Sequence, residues 1–167
     1  MKPTTALIAL GSNLGDSRRI LEQAFARLQE LSAAPIRRSS LWRSAPVDCP
    51  SGSSDFVNAV AAIIPLPDET PKSLLAKLRA IEVEFGRAPK IVLNEPRALD
   101  LDLIAFGSEV RSTSQLTLPH PRANVRRFVL APLSELAPGL ILPGQVKTVA
   151  ELLDSLATNE LVERLQT

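Results

Sequence analysis

Hydrophobic spacing changes character several times along the chain, and each change predicts an element. Thr5 to Leu10 ("TALIAL") is a nearly continuous apolar run closed by "GSNLGDS", the pattern of a central strand followed by a turn. From Asp16, a helix-capping residue type, Ile20, Leu21, Ala24, Phe25, Leu28 and Leu31 recur at helical spacing, with Arg19, Glu22, Arg27 and Glu30 on the other face. This predicts an amphipathic helix. Residues 36–43 ("IRRSSLWR") predict a weak strand, and Phe56 to Ile64 ("FVNAVAAII") a stronger one. "TPKSLLAKLRAIEVEFGR" opens on a Thr70-Pro71 start signal and sets Leu74, Leu78, Ile81 and Phe85 on one stripe, a second helix. Pro96 to Gly107, "PRALDLDLIAFG", predicts a further strand, with Gly107-Ser108 as a hairpin signal and a short strand near Glu109 to Ser112.

The order β-α-β-β-α-β matches a ferredoxin-like α+β arrangement, an antiparallel sheet with both helices on one face. The remainder predicts a loop and short helix in "PHPRANVRRFVLAPLSELAP" and a closing helix near Val149 to Leu156. A length of 167 residues suits one compact domain, so residues 1–167 are expected to form a single unit.

Composition narrows the partners. Lys plus Arg number 19 against 18 Asp plus Glu, and a net charge of +1 supplies no general field for nucleic acid or anionic membrane. Any anion site must be local. The single cysteine, Cys49, has no internal partner, which fits a reducing, cytoplasmic setting. The first apolar stretch is too short for a membrane span or a signal-peptide core. Small-molecule substrates, with no nucleic acid and no membrane, are the expected partners.

Two carboxylates interrupt the strand at Pro96 to Gly107. Side chains alternate along a strand, so Asp100 and Asp102 share one face while Leu99, Leu101 and Leu103 share the other. Two carboxylates about 7 Å apart resist desolvation together and require water, basic partners or a divalent cation. An arbitrary D-x-D is more often a solvated edge than a metal seat. Here Arg97 precedes the pair, and phosphate-handling sites combine a hard cation with a guanidinium fork. No G-x-x-x-x-G-K-[ST] occurs, which excludes a P-loop, and the one histidine, His120, excludes multi-histidine metal sites.

The segments "ALIALGSNLGD", "WRSAPV", "FVNAV", "IEVEFGR", "PRALDLDLIAFG" and "LPHPRANVRRFVLAPLSELAP" occur in an order that resembles the 6-hydroxymethyl-7,8-dihydropterin pyrophosphokinases of folate biosynthesis. The likeness runs from about Thr5 to Leu156, and its most specific part is P-R-x-x-D-[LI]-D-[LI] at Pro96 to Leu103. It implies a ferredoxin-like fold, a monomer, two Mg²⁺ ions, ATP as co-substrate, and transfer of the terminal pyrophosphoryl unit to the pterin hydroxymethyl oxygen with release of AMP. The resemblance makes Asp100 and Asp102 the metal ligands and Arg87 and Arg97 the arginines that hold the transferring phosphates. Glu82, Leu103, Thr117, His120 and Arg126 fall around the nucleotide. Ser44, Ala45, Pro46 and Val47 complete the pterin pocket, Asn58 meets the ring edge, and Phe56 and Phe128 stack on its two faces.

The chain also departs from the family pattern. Pro89, Leu93, Asn94 and Glu95 stand where the family often carries arginines and a Trp or Asn, with Lys90 nearby, and Phe56 replaces a family Tyr. These departures leave a catalytically weakened relative or a ferredoxin-like nucleotide-binding module as alternatives. A two-metal nucleotidyltransferase should show a basic channel, and an RNA-recognition domain should show its [KR]-G-[FY]-[GA]-F-V signature; the charge balance opposes the first and the second pattern is missing.

Overall fold

The computed structural model describes residues 3–46, 52, 54–86, 98–158 and 160–166. Strand β1 (Ala6–Ser12) leads through a turn to helix α1 (Ser17–Gln29), whose N-cap Asp16 accepts the Arg19 backbone N–H at 3.3 Å. β2 (Arg37–Arg38) and β3 (Trp42–Ser44) both pair with the long β4 (Phe56–Ile63). The weak strand expected over residues 36–43 is thus two short pieces. Ser39, between them, turns its hydroxyl to accept the Val60 N–H at 2.9 Å, a local bond that replaces a ladder position.

Helix α2 (Pro71–Glu84) starts at the predicted Thr70-Pro71 signal, where Thr70 and Ser73 cap each other reciprocally. β5 (Asp100–Phe106) follows, and β6 (Arg111–Ser112) pairs with β7 (Thr117–Leu118) in a separate two-stranded sheet. The hairpin expected after Gly107 therefore folds onto a later segment and not back onto β5. α3 (Arg127–Leu136), α4 (Val149–Ser155) and β8 (Val162–Arg164) complete the chain. β8 was not legible as a strand. The main sheet is antiparallel in the order β5-β1-β4-β3-β8, with β2 also on β4.

Both sheet faces are covered, by different helices. α1 and α2 contribute Leu21, Phe25, Leu28, Leu74, Leu78 and Ile81 to a core with Ile8, Leu10, Ala61, Leu101 and Leu103. On the opposite face α3 and α4 contribute Val129, Leu130, Leu133 and Val149 to a core with Leu7, Val60, Ala62, Ile104 and Ala105. A register shift between β1 and β5 leaves Ile104 without an opposite residue, since Leu7 faces Ala105 and Ile8 faces Leu103. This bulge puts two consecutive apolar residues, Ile104 and Ala105, against α3 and α4 while the alternation below it keeps Asp100 and Asp102 on that same face. Leu99, Leu101 and Leu103 lie in the other core, as their spacing predicts.

Candidate active site

On the α3 face of the sheet, aliphatic side chains give way to polar, aromatic and glycine positions at one end of three adjacent strands. Ala62 and Val60 lead to Asn58 and Phe56 on β4, Leu7 and Ala9 lead to Gly11 on β1, and Ala105 and Ile104 lead to Asp102 and Asp100 on β5. The register sets Asp100, Gly11, Asn58 and Trp42 in one row across the sheet. Strands lie about 4.8 Å apart, so the backbones of Asp100 and Asn58 stand about 10 Å apart, with Gly11 between them. A Cβ at Gly11 would come within 3.4 Å of Asn58 Oδ1 and 3.8 Å of a Phe56 ring carbon. The missing side chain keeps the floor low.

Asn58 is buried and its Nδ2 donates to Ser44 Oγ at 2.7 Å, so β3 fixes the direction of the amide. Phe56 is half-buried opposite Ser44 on the ladder. Phe128 sits at the start of α3, half-buried against the core on this face, and the Arg126 guanidinium lies 5.3 Å over its ring. Ala45 and Pro46 follow β3 at the same end. Val47, Arg87 and Arg97, with the loop from Arg87 to Glu95, lie outside the described residues.

The electrostatics centre on β5. Burial first, then the Asp100 charge, pushes the Asp102 carboxyl up to about 6, with Glu82 adding to the push while Arg79 and Arg126 oppose it. Glu82, at the C-terminal end of α2, is wholly buried: Oε2 accepts the Leu101 backbone N–H at 2.8 Å and Oε1 accepts Arg79 Nη1 at 2.8 Å. Burial raises its pKa as well, against the Leu101 bond and the Arg79 charge. Arg79 Nη1 also donates to the Leu101 carbonyl at 2.7 Å. Acids thus crowd one end of the strand. Among the described residues no three acidic, His or Cys side chains close into a metal site of their own. The donor set suits a hard divalent cation that takes two carboxylates and completes its shell with ligand oxygens.

A cavity of about 210 Å³ opens beside β5, lined by Leu75 and Arg79 of α2, Asp102 and Leu103 of β5, the 113–117 turn, and His120. Leu103, Thr117 and His120, three of the residues expected around a nucleotide, meet here next to a metal-ligand candidate. His120 Nδ1 accepts the Arg122 backbone N–H at 3.2 Å, which leaves Nε2 as the protonated nitrogen of the neutral ring. Burial and the Arg126 and Arg122 charges hold its pKa down and favour that neutral form. Burial and Arg122 likewise lower the Arg126 pKa, countered by Asp102 and Asp100. Glu82 is placed behind this cavity as the clamp on β5, whereas Arg79, which sequence reading missed, lines it. An arginine on a helix face carries no mark in sequence that separates it from a solvated one. Only its three-residue spacing from Glu82 hints at a shared partner.

Residues 7–138 match the profile of the 7,8-dihydro-6-hydroxymethylpterin-pyrophosphokinase (HPPK) family. A 2-amino-4-hydroxy-6-hydroxymethyldihydropteridine pyrophosphokinase of Haemophilus influenzae is 37% identical over 160 residues, covering 95% of this chain and 97% of its own. That of Pseudomonas aeruginosa is 40% identical over 139 residues, covering 81% and 82%. In three dimensions, the wild-type Plasmodium falciparum HPPK-DHPS crystallised with pteroate superposes with a TM-score of 0.71 at 14% identity. The match covers 92% of this chain but 42% of that longer one, and at this identity it shows a shared fold. Profile and relatives decide the assignment: the chain belongs to the 7,8-dihydro-6-hydroxymethylpterin-pyrophosphokinase family.

Proposed function

We propose that this chain, a pyrophosphokinase of folate biosynthesis by family, transfers the terminal pyrophosphoryl group of ATP to the hydroxymethyl oxygen of 6-hydroxymethyl-7,8-dihydropterin and releases AMP. The observation that carries this reading is the row from Asp100 through Gly11 to Asn58, a carboxylate end and an amide end on one sheet face with only a glycine between them. A flat, amide-bearing ring suits the Asn58 end, with Phe56 and Phe128 available to its faces and Ser44 holding the Asn58 amide in one orientation. Ala45, Pro46 and Val47 would close the rim.

The cavity beside β5 takes the nucleotide in this reading. Leu75 and Leu103 offer apolar walls, and Thr117, neutral His120 and Arg79 offer polar groups. Asp100 and Asp102 would hold two Mg²⁺ ions, which when bound offset phosphate charge and make the hydroxyl more acidic. The hydroxymethyl oxygen forms its bond to the β-phosphorus as the bond from that phosphorus to the bridging oxygen breaks, and AMP leaves with that oxygen. The hydroxyl proton passes to solvent. Arg126 stands near both carboxylates and next to Phe128, where its fixed charge can meet the transferring phosphates. Arg87 and Arg97, by family position, would supply further guanidinium contacts to the same phosphates.

The chain works as a monomer in the cytoplasm in this reading, in keeping with its balanced charge and lone cysteine. Among the described residues no helix is long and apolar enough to cross a membrane. ATP labelled at the β-phosphorus tests the transfer. The label should appear on the pterin together with the γ-phosphorus; label retained in ADP contradicts the reading.

A further inference from the structure

The matched family stretch ends at residue 138, yet the chain beyond it returns to the pterin end of the sheet. After α4 the backbone passes the start of α3, where Leu156 O accepts Arg127 Nη2 at 3.3 Å and the Glu160 carboxylate accepts the Arg127 backbone N–H at 3.1 Å. A carboxylate at a helix N-terminus satisfies a free donor and favours the helix dipole. Phe128 is the next residue of that helix.

The same segment then adds β8 to the sheet edge. Leu161 O accepts the Ala45 N–H at 3.3 Å, and Leu165 N donates to Leu41 O at 2.8 Å. Arg43 pairs with Glu163 at 2.8 Å and reaches Asp55 at 3.8 Å, joining β8 to the residue just before Phe56. From the far side of β3, Trp42 Nε1 and Ser40 Oγ donate to Glu135 of α3 at 2.5 and 2.9 Å. One short segment thus touches both walls of the candidate pterin pocket: the Ser44-Ala45 end of β3, where Arg43 carries the contact on to Asp55 beside Phe56, and the α3 start that carries Phe128.

We infer that residues 156–158 and 160–166 form a positioning strap for the pterin pocket, with Glu160 and Glu163 as its anchoring residues. The inference rests on the pterin reading of that pocket. The strap touches no substrate; it sets how far the Phe128 wall stands from the Ser44 and Asn58 wall and holds Ala45 in place. Its effect falls first on pterin affinity, because its ladder and Glu163 meet β3 beside Ser44 and Ala45, while Glu160 alone also reaches toward the phosphate end through its attraction to Arg126. An exposed ion pair such as Arg43 with Glu163 adds little by itself, so the backbone pairing carries most of the effect.

The ladder supplies its own control. The bonds at Leu41 with Leu165 and Ala45 with Leu161 set the phase, so Arg43 and Glu163, opposite each other between them, are also a hydrogen-bonded pair, and the Arg164 N–H points away from β3. Proline at 163 removes a ladder donor, and proline at 164 removes none. In the full-length chain, Glu163→Pro should raise KM for the dihydropterin at least about fivefold while kcat and KM for ATP stay within about twofold, and Arg164→Pro should behave as wild type. Glu160→Gln, which keeps the fold without the charge, should move KM in the same direction by a smaller factor. Unchanged pterin KM in Glu163→Pro, or equal changes in both KM values and in both proline variants, overturns the strap. Amide exchange at Ala45 and Arg127, read on the ligand-free chains, should quicken in Glu163→Pro and not in Arg164→Pro, and equal rates also overturn it. A wild type that makes no AMP contradicts the activity instead, and the exchange rates then decide the strap alone.

Discussion

Glu82 of helix α2 grips the backbone N–H of Leu101 at 2.8 Å, and Leu101 is the residue between the two aspartates of β5. A buried carboxylate on one layer therefore sets the height of the strand that presents Asp100 and Asp102 on the other face. Arg79 closes the arrangement by donating to both Glu82 and the Leu101 carbonyl. Glu82→Ala leaves the Leu101 N–H without this acceptor and should cost about 1–3 kcal/mol of stability in urea unfolding. Glu82→Gln keeps an acceptor and should cost less, while its lost charge eases the upward push on Asp102.

Asp102 is held in a form that opposes folding of the ligand-free chain. Its carboxyl is pushed up to about 6 from an ordinary 3.8, so between those values the folded chain binds more protons than the unfolded one. The contribution of this group to stability is thus fullest below about pH 4 and falls as pH rises through about 6. Asp102→Asn removes that loss. Its melting temperature, measured without nucleotide or divalent cation, should exceed wild type at pH 8 and converge with it near pH 4, although the variant should be nearly inactive. A wild type that melts higher than the variant at pH 8 contradicts this account.

Gly11 should tolerate a side chain structurally but not functionally. Its φ is not in the left-handed region, and it occupies a regular strand position between Asp100 and Asn58. Alanine adds a Cβ at ordinary contact distance and nothing more, so Gly11→Ala should change stability little. The added methyl would stand against Asn58 and Phe56 on the site floor and should weaken dihydropterin binding at least about tenfold, or about 1.4 kcal/mol. Calorimetric titration of the pterin, beside a thermal melt, separates the two effects.

Ser44 acts through Asn58. Ser44→Ala removes the acceptor of the Asn58 amide and lets it turn, at a cost of about 1 kcal/mol. KM for the pterin should rise severalfold and KM for ATP should not. Ser44→Thr, which keeps a hydroxyl, should recover part of the loss.

The regular elements were legible because their signals are local: the Asp16 and Thr70 caps, the Leu74-Leu78-Ile81 stripe, and the alternation that separates Leu101 from Asp100 and Asp102 all lie within a few residues of each other. The resemblance placed Leu103, Thr117 and His120 together, and the cavity beside β5 brings those three to one place. What the sequence concealed depends on distant pairing. β6 joins β7 and not β5, β8 joins β3 across more than a hundred residues, and the bulge at Ile104 appears only when β1 and β5 are aligned. Arg79 and Glu82 show the same limit within the site, since the partner that gives them a role, the Leu101 peptide, lies on another element.

The most direct measurement is the nucleotide product formed when the full-length chain is mixed with ATP, Mg²⁺ and 6-hydroxymethyl-7,8-dihydropterin, compared with Asp100→Asn and Asp102→Asn. AMP should accumulate in step with pterin diphosphate in the wild type, and either substitution should lower the rate by several orders of magnitude. ADP as the product, or near-normal AMP formation without either carboxylate, would contradict the account.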